Sequence, residues 1–399
     1  MRRMMKKLVA MFLTFGLSLA ALSGCGSKDA NEAPDGGTNV SGEGENEAQI
    51  EGDTASTDTV YKIGGIGPLT GPNASYGLSV KQGAQIAVDE INALGGIQFA
   101  LLFEDDQADG EKAVSAYNTL MDQEVTAILG AVTSDACIAV TEESQVDGIL
   151  QVTPSGSAQA CTQYDNGFRI CFTDPLQGKT MADYIKAQGY ESVAVIYDNS
   201  SDYSNGIKEA FEEQAGAIGL NVATSESFTS GDVDFKTQLT KVKSSGAQCL
   251  FLPIYYAEVA YISEQAKSVG LELPYFGCDG WDGVIAQLNG DTTNIEGAVF
   301  LTPFVATSEA ENVKKFVETY NQTYNAIPDQ FAADGYDGIY AIYEAISACN
   351  GDVTNENIIA NMQNIEVKGL TGDMTFTKEG EPNKSALVAT IENGQYVAK

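Results

Sequence analysis

From residue 60 onward the chain repeats one unit: a short apolar, β-branched run, a turn rich in glycine or acid, then an amphipathic helix. That rhythm fits parallel sheets packed between helices and little else. The first unit, 60–97, reads VYKIGGIGPLTGPNASYGLSVKQGAQIAVDEINALGGI, and its long polar loop carries one aromatic, Tyr76. Open α/β sheets bind ligands outside the carboxyl ends of their strands, and such loops hold ligands more often than they merely connect. A helix over 79–93 sets Ala84, Ala87, Val88 and Ile91 on one face and stops at Gly95-Gly96. Strands are expected at 98–103, 125–130, 149–152 and 192–197, and near 221–227, 248–254, 274–277 and 297–301. A helical stripe from Ala113 to Met121 and helices near 136–145, 204–217, 234–244 and 256–269 separate them. After 309 the rhythm breaks into three successive helices, 309–324, 333–348 and 354–363, before short strands near 373–376 and 385–392. Three helices cannot extend a sheet unaided, so part of this tail should pack back on the first lobe. A chain that crosses repeatedly between two α/β lobes makes a hinged cleft.

What precedes the fold concerns export. Residues 1–24 combine Arg2, Arg3, Lys6 and Lys7 with an apolar run over 8–22, the pattern of a signal peptide. The run is too short for a spanning helix to be the first choice. It ends in Leu22-Ser23-Gly24-Cys25, which resembles the bacterial lipobox and implies that Cys25 becomes a lipidated N-terminus. Residues 25–59 are mostly Gly, Ser, Asn, Asp, Glu and Thr, too poor in apolar surface to offset the entropy of ordering. They are expected to form a disordered acidic tether.

Composition excludes several chemistries. Four of the 22 Lys and Arg lie in the signal, leaving 18 to face 55 Asp and Glu. Nucleic acid is excluded as a partner, since binding it needs a cationic surface. There is no histidine, which removes the commonest general base, the Ser-His-Asp triad and most zinc sites. Beyond the signal Arg169 is the only arginine, so a guanidinium clamp has one candidate at most. Gly65-Ile66-Gly67 is a poor dinucleotide fingerprint: Pro68 removes a donor, the third glycine is missing and the helix starts late. No G-x-S-x-G elbow, Walker loop or zinc-type cysteine pair is present. A binder is favoured over an enzyme, with no cofactor and no metal. Six cysteines remain besides Cys25; Cys161 and Cys171 flank a turn-rich segment and are candidates for a local disulfide, with buried free thiols as the alternative.

The motifs YKIGGIGPLTGPNASYG, DEINALGG, LGAVTSDACIAV, ILQVTPSGSA, VAVIYDNSSDYSNG and YFGCDGW, in this order, resemble the branched-chain amino-acid binding proteins of ABC importers. These are receptors of the type I periplasmic-binding fold, and the resemblance covers 60–395. It implies two Rossmann-like lobes with parallel-rich sheets, joined by three crossovers, with the ligand between them. The first lobe would be 60–173 plus 303–384, and the second 174–302 plus 385–399. Carried over by motif, Ser134 would grip the ligand's α-carboxylate by hydroxyl and N–H, with Ser155, Gly156 and Ser157 completing the grip. Asp279 stands at the acidic position that pairs with the α-ammonium, where the best-known members have Glu. Tyr203 and Tyr255 match aromatics that close over the ligand, and Tyr76 matches a first-loop tyrosine. Tyr256, Trp281, Phe304, Tyr336 and Asp337 are further candidates for the wall or hinge.

The function implied is that of a monomeric, membrane-anchored extracytoplasmic lipoprotein that captures a free amino acid, branched-chain type favoured, and hands it to ABC permease subunits. A ligand sensor, or a binder of amides, urea or aromatic acids on the same fold, is the near alternative. An exported hydrolase is the remote one.

Overall fold

A computed structural model describes residues 59–399; the signal, the tether and Cys25 lie outside the described residues. Strand β1 (Val60–Gly67) is followed by α1 (Ala74–Leu94), β2 (Gln98–Asp105), α2 (Gly110–Met121), β3 (Ala127–Leu129), α3 (Ser134–Asp147), β4 (Gln151–Thr153) and β5 (Gly167–Arg169). The five strands form one wholly parallel sheet in the order β2-β1-β3-β4-β5. Helices α2 and α3 pack together on one face, α1 on the other.

The chain then leaves this sheet. Helix α4 (Asp174–Ala187) leads to β6 (Ser192–Asp198), α5 (Asp202–Ile218), β7 (Asn221–Phe228), α6 (Lys236–Ser245), β8 (Cys249–Leu252), α7 (Tyr256–Ser268), β9 (Tyr275–Gly277), the short α8 (Val284–Gln287) and β10 (Val299–Thr302). Next come α9 (Glu311–Tyr324), α10 (Gln330–Ser347) and α11 (Asn355–Met362), then the hairpin β11 (Val367–Gly369) and β12 (Gly372–Met374). Strands β13 (Leu387–Glu392) and β14 (Gln395–Ala398) close the chain. The second sheet runs β14-β13-β10-β9-β8-β6-β7, parallel from β10 to β7 and antiparallel at β13 and β14. The chain therefore passes between the two bodies three times: after β5, after β10 and before β13.

Several elements in this order were not expected: the short α8, β11 and β14, and, at the first crossover, β5 and α4. Strand β5 is only Gly-Phe-Arg, and a fully buried arginine does not read as strand. Helix α4 has a weak apolar stripe, interrupted by Gly178, whose missing side chain lets the backbone of α5 approach. Its start is nonetheless well marked, by Pro175 in the first turn and the Thr173 side chain accepting from Leu176 N at 3.3 Å.

The tail packs back as helix order suggested: α10 lies along α1 in the first lobe. Glycines make that approach possible. A Cβ on Gly83 would stand 1.8 Å from the carbonyl oxygen of Ala332, and one on Gly335 would stand 2.4 Å from that of Val80.

The disulfide expectation is corrected: Cys161 and Cys171 are both free and buried. Cys161 turns toward α3, with Sγ 3.7 Å from the Ser134 carbonyl and beside Cys137, in the core between α2, α3 and the sheet. Cys171 follows β5 and is wholly buried, its thiol pushed well up by burial.

Candidate functional site

Six strand ends meet between the lobes. From the first sheet come the loop after β1 with Tyr76, the loop after β3 with Val132 to Ser134, and the loop after β4 with Ser155 to Ser157. From the second come Tyr203 after β6, Tyr255 after β8 and Asp279 after β9. All six parallel strands concerned point their carboxyl ends at one place, as open α/β sheets require of a binding crevice. Tyr76, Val132, Thr133, Ser155 and Phe331 on one side, and Tyr203, Tyr255, Asp279 and Gly280 on the other, line a small cavity of about 10 Å³.

The lobes are closed on each other. Tyr76 Oη donates to the Gly280 carbonyl at 2.5 Å, and Tyr256 Oη donates to the Pro72 carbonyl at 2.6 Å. Gln330 Nε2 donates to the Asp279 carbonyl at 2.5 Å, and Gln330 N to Asp282 Oδ2 at 3.0 Å. At the mouth Asp135 accepts from Ser201 Oγ and from Asp202 N.

Asp279 is the charged centre. Its Oδ1 accepts from Tyr203 Oη at 2.7 Å and from Gly280 N at 2.8 Å, and its own N–H donates to Gln177 Oε1 at 3.0 Å. Burial pushes its carboxyl up to about 6, against the lowering effect of the Tyr203 and Gln177 hydrogen bonds. An acid so placed gains from an arriving cation. Around it the aromatics form a cage: Tyr203 stacks on Tyr255 at 4.8 Å, Tyr255 meets Tyr76 edge-on at 5.5 Å, and Tyr76 lies 4.1 Å from Phe331.

The hydroxyl loops are arranged differently from the simple carboxylate grip expected of them. Ser134 Oγ accepts from the N–H groups of Ser157 and Ala158, at 3.2 and 3.1 Å, which leaves its own proton as the donor. Ser155 Oγ donates to the Val132 carbonyl at 2.7 Å, so it faces the cavity with its hydroxyl already engaged. Thr133 Oγ1 and Ser157 Oγ are buried without a partner. Gly156 is a correction: its N–H donates to Thr153 Oγ1, its carbonyl accepts from Arg169, and it packs against Cys137 and Cys161, away from the cavity.

Arg169 proves to be the organiser of this loop. Fully buried, it donates to the carbonyls of Gly156 at 2.9 Å and Ala158 at 3.1 Å and to Thr162 Oγ1 at 3.0 Å, and it pairs with Glu381 at 2.8 Å. It shapes the backbone that carries Ser155 to Ser157 and is not among the residues that line the cavity.

The remaining candidates fall elsewhere. Tyr256 latches the lobes through Pro72. Trp281 is wholly buried in the second lobe, its Nε1 bonded to the Leu252 carbonyl at 2.9 Å. Phe304 packs edge-on against Phe316, and Tyr336 donates to Glu90 at 2.6 Å on the outer side of α10. Asp337 clips the backbone N–H groups of Leu370 and Thr371. Tyr256 apart, each of these wall or hinge candidates is drawn off by a partner in its own lobe. Sequence reasoning missed Phe331, Thr133 and Val132. Phe331 could have been suspected from Asp329-Gln330-Phe331, an N-cap and first turn on a helix expected to return to the first lobe.

A closed, two-lobed α/β molecule whose strand-end loops bury one acid among aromatics is a solute-binding receptor. Comparison with known proteins agrees. A family profile for periplasmic binding proteins matches residues 60–395. A Leu/Ile/Val-binding protein homologue of Brucella melitensis is 35% identical over 244 residues, 60% of this chain and 66% of that one. The leucine-binding protein LivK of Thermotoga maritima superposes with a TM-score of 0.80 at 30% identity, over 85% of this chain and 97% of that one. The branched-chain amino-acid binding protein LivJ of Streptococcus pneumoniae, solved with isoleucine, gives 0.78 at 29% identity, over 86% and 100%. The chain belongs to the periplasmic binding protein family, in the branched-chain amino-acid binding group its motifs resemble, a family of receptors and not of enzymes.

Proposed function

We propose that this protein captures a free branched-chain amino acid outside the cytoplasm and delivers it to the membrane subunits of an ABC permease. The observation that carries the reading is the buried Asp279–Tyr203 pair opposite the hydroxyl loops of the first lobe. One side of the cavity offers an acid for an ammonium group, and the other offers hydroxyl donors for a carboxylate. Between them Val132, Tyr255 and Phe331 present apolar and aromatic surface to a side chain. The relatives named above support a leucine-, isoleucine- or valine-sized ligand. In this reading Ser134, Ser155 and Ser157 hold the carboxylate end, Asp279 the ammonium, and Tyr76, Tyr203 and Tyr255 the closed walls. Cys25 would carry the lipid anchor, and residues 25–59 would leave a monomer free to reach the permease.

A ligand that binds only the folded state raises its stability, by about 2.7 kcal/mol at a hundred times the Kd. The purified protein, unfolded and refolded to strip bound ligand, should therefore melt higher with leucine, isoleucine or valine than without. A full amino-acid panel that leaves the melting temperature unchanged would overturn the reading.

A further inference from the structure

Back to back with the Asp279 cavity lies a much larger one. It holds about 480 Å³ against about 10 Å³, and both lobes line it. Ile285, Phe300 and Tyr396 come from the second lobe, and Phe304, Val317 and Pro328 from the first. The two cavities share a partition. Phe331 lines the small cavity and Asp329 the large one, while Gln330 between them donates to the Asp279 carbonyl and to Asp282 Oδ2. Small-molecule sites are concave, mostly apolar and about 300–1,000 Å³ in volume, with a few placed polar groups. This cavity meets that description, and the Asp279 site makes no use of it.

The charged groups that line it are both acids. Asp282, 3% exposed, accepts from Gln330 N with Oδ2, and its Oδ1 is buried without a partner. Asp329, at the start of α10, is satisfied by Ser79 Oγ at 2.6 Å and Ala332 N at 2.9 Å. Burial, then the charge of Asp329, pushes the Asp282 carboxyl up to about 8. No lysine or arginine lines the cavity, and among the described residues none pairs with either acid. Tyr396 Oη accepts from Gly283 N at 3.0 Å and from Ile285 N at 3.4 Å, which leaves its own proton to donate. Two acids from opposite lobes thus act on each other with no cation to offset them. A buried charge without a partner is costly, and a cation that brings its own apolar body relieves it.

We propose that this cavity is a second ligand site, which takes an amphiphilic organic cation, its ammonium group at Asp282 and its apolar body against Phe300, Phe304 and Val317. Both lobes line the site, so an occupant holds them closed. It binds alongside the amino acid and does not replace it.

The probe is 4-phenylbutylammonium, compared by calorimetry with 4-phenylbutan-1-ol, which has the same body and no charge. Leucine in excess keeps both out of the Asp279 cavity. The purified wild-type protein should bind the amine at least tenfold more tightly than the alcohol. Asp282→Asn keeps an acceptor for Gln330 N, and should cost the amine at least tenfold and the alcohol less than twofold. Ala286→Trp sets a bulky ring on the exposed wall of the cavity. It should abolish binding of both probes with leucine affinity unchanged, and it covers the case in which Asp282→Asn does not fold. Amine binding no tighter than that of the alcohol, or amine affinity unchanged in a folded variant, would overturn the inference. A protein that takes up no leucine would sink the amino-acid reading alone, since the same amine titrations are then run without it.

Discussion

The two lobes contribute unlike halves to the cavity. On the first-lobe side the polar groups largely satisfy one another: Ser134 holds the amides of Ser157 and Ala158, Ser155 holds Val132, and Arg169 fixes the loop from below. The second-lobe side brings a costly carboxylate at Asp279, stabilised by Tyr203 but raised by burial. A neutral, prearranged cradle and a charged partner that meets it on closure divide the work of recognition. Rigidity lowers the ordering cost on one side, while charge on the other makes closure depend on what lies between.

The largest effect should come from the charged side. Asp279→Ala should weaken leucine binding by about 4 kcal/mol, near a thousandfold, because the ammonium would be left unpaired in a closed cleft. The unliganded protein should lose no stability, since the ionised acid is unfavourable where it sits. Calorimetry and thermal melts together check both halves; a stability loss with unchanged affinity would break the comparison.

On the cradle side the order should reverse. Arg169→Met leaves Glu381 without its cation and two buried carbonyls unpaired, an expected loss of about 3 kcal/mol in folding stability, a fall of about 4 °C in Tm. Leucine affinity should suffer mainly through the misplaced loop. If this variant melts like wild type, the cradle is not held from below by Arg169.

A smaller effect belongs to the latch between the sides. Tyr256→Phe removes the hydrogen bond to Pro72 and should cost about 1 kcal/mol of closure, roughly fivefold in affinity, read as faster ligand release in stopped flow. An unchanged release rate would mean that the latch forms only after the ligand is already held.

Much of this arrangement could be read from the chain, and the parts that could not have physical causes. The alternation of strand and helix marks where a parallel sheet ends its strands, so Tyr76, Ser134, Ser155, Ser157, Tyr203, Tyr255 and Asp279 could be placed on converging loops. Strand β5 and helix α4 escaped because a buried arginine and a glycine-broken stripe hide their periodicity. Adjacency misled for Trp281: two residues from Asp279 in a 3-10 turn, it points into the second lobe's core. Sequence also cannot tell a donor aimed at a ligand from one bonded within the protein, which is how the Ser155 hydroxyl and the Gly156 N–H came to look free. Phe331 was passed over for a different reason: helix order suggested that the tail returns to the first lobe, but not that the first turn of α10 would bring this residue to the cavity.

That return has a consequence for how ligand preference can change. Tyr76 and Phe331 ride on the first turns of α1 and α10, two helices joined backbone to backbone at Gly83 and Gly335. Any side chain at either glycine would force the pair apart, so their aromatic wall moves as one block. Evolution of a new diet is thereby channelled to the facing wall, where Tyr203, Tyr255 and Gly280 sit at loop and helix ends that can be replaced one at a time. Related receptors with different appetites should differ there first and keep the small residues at the helix crossing.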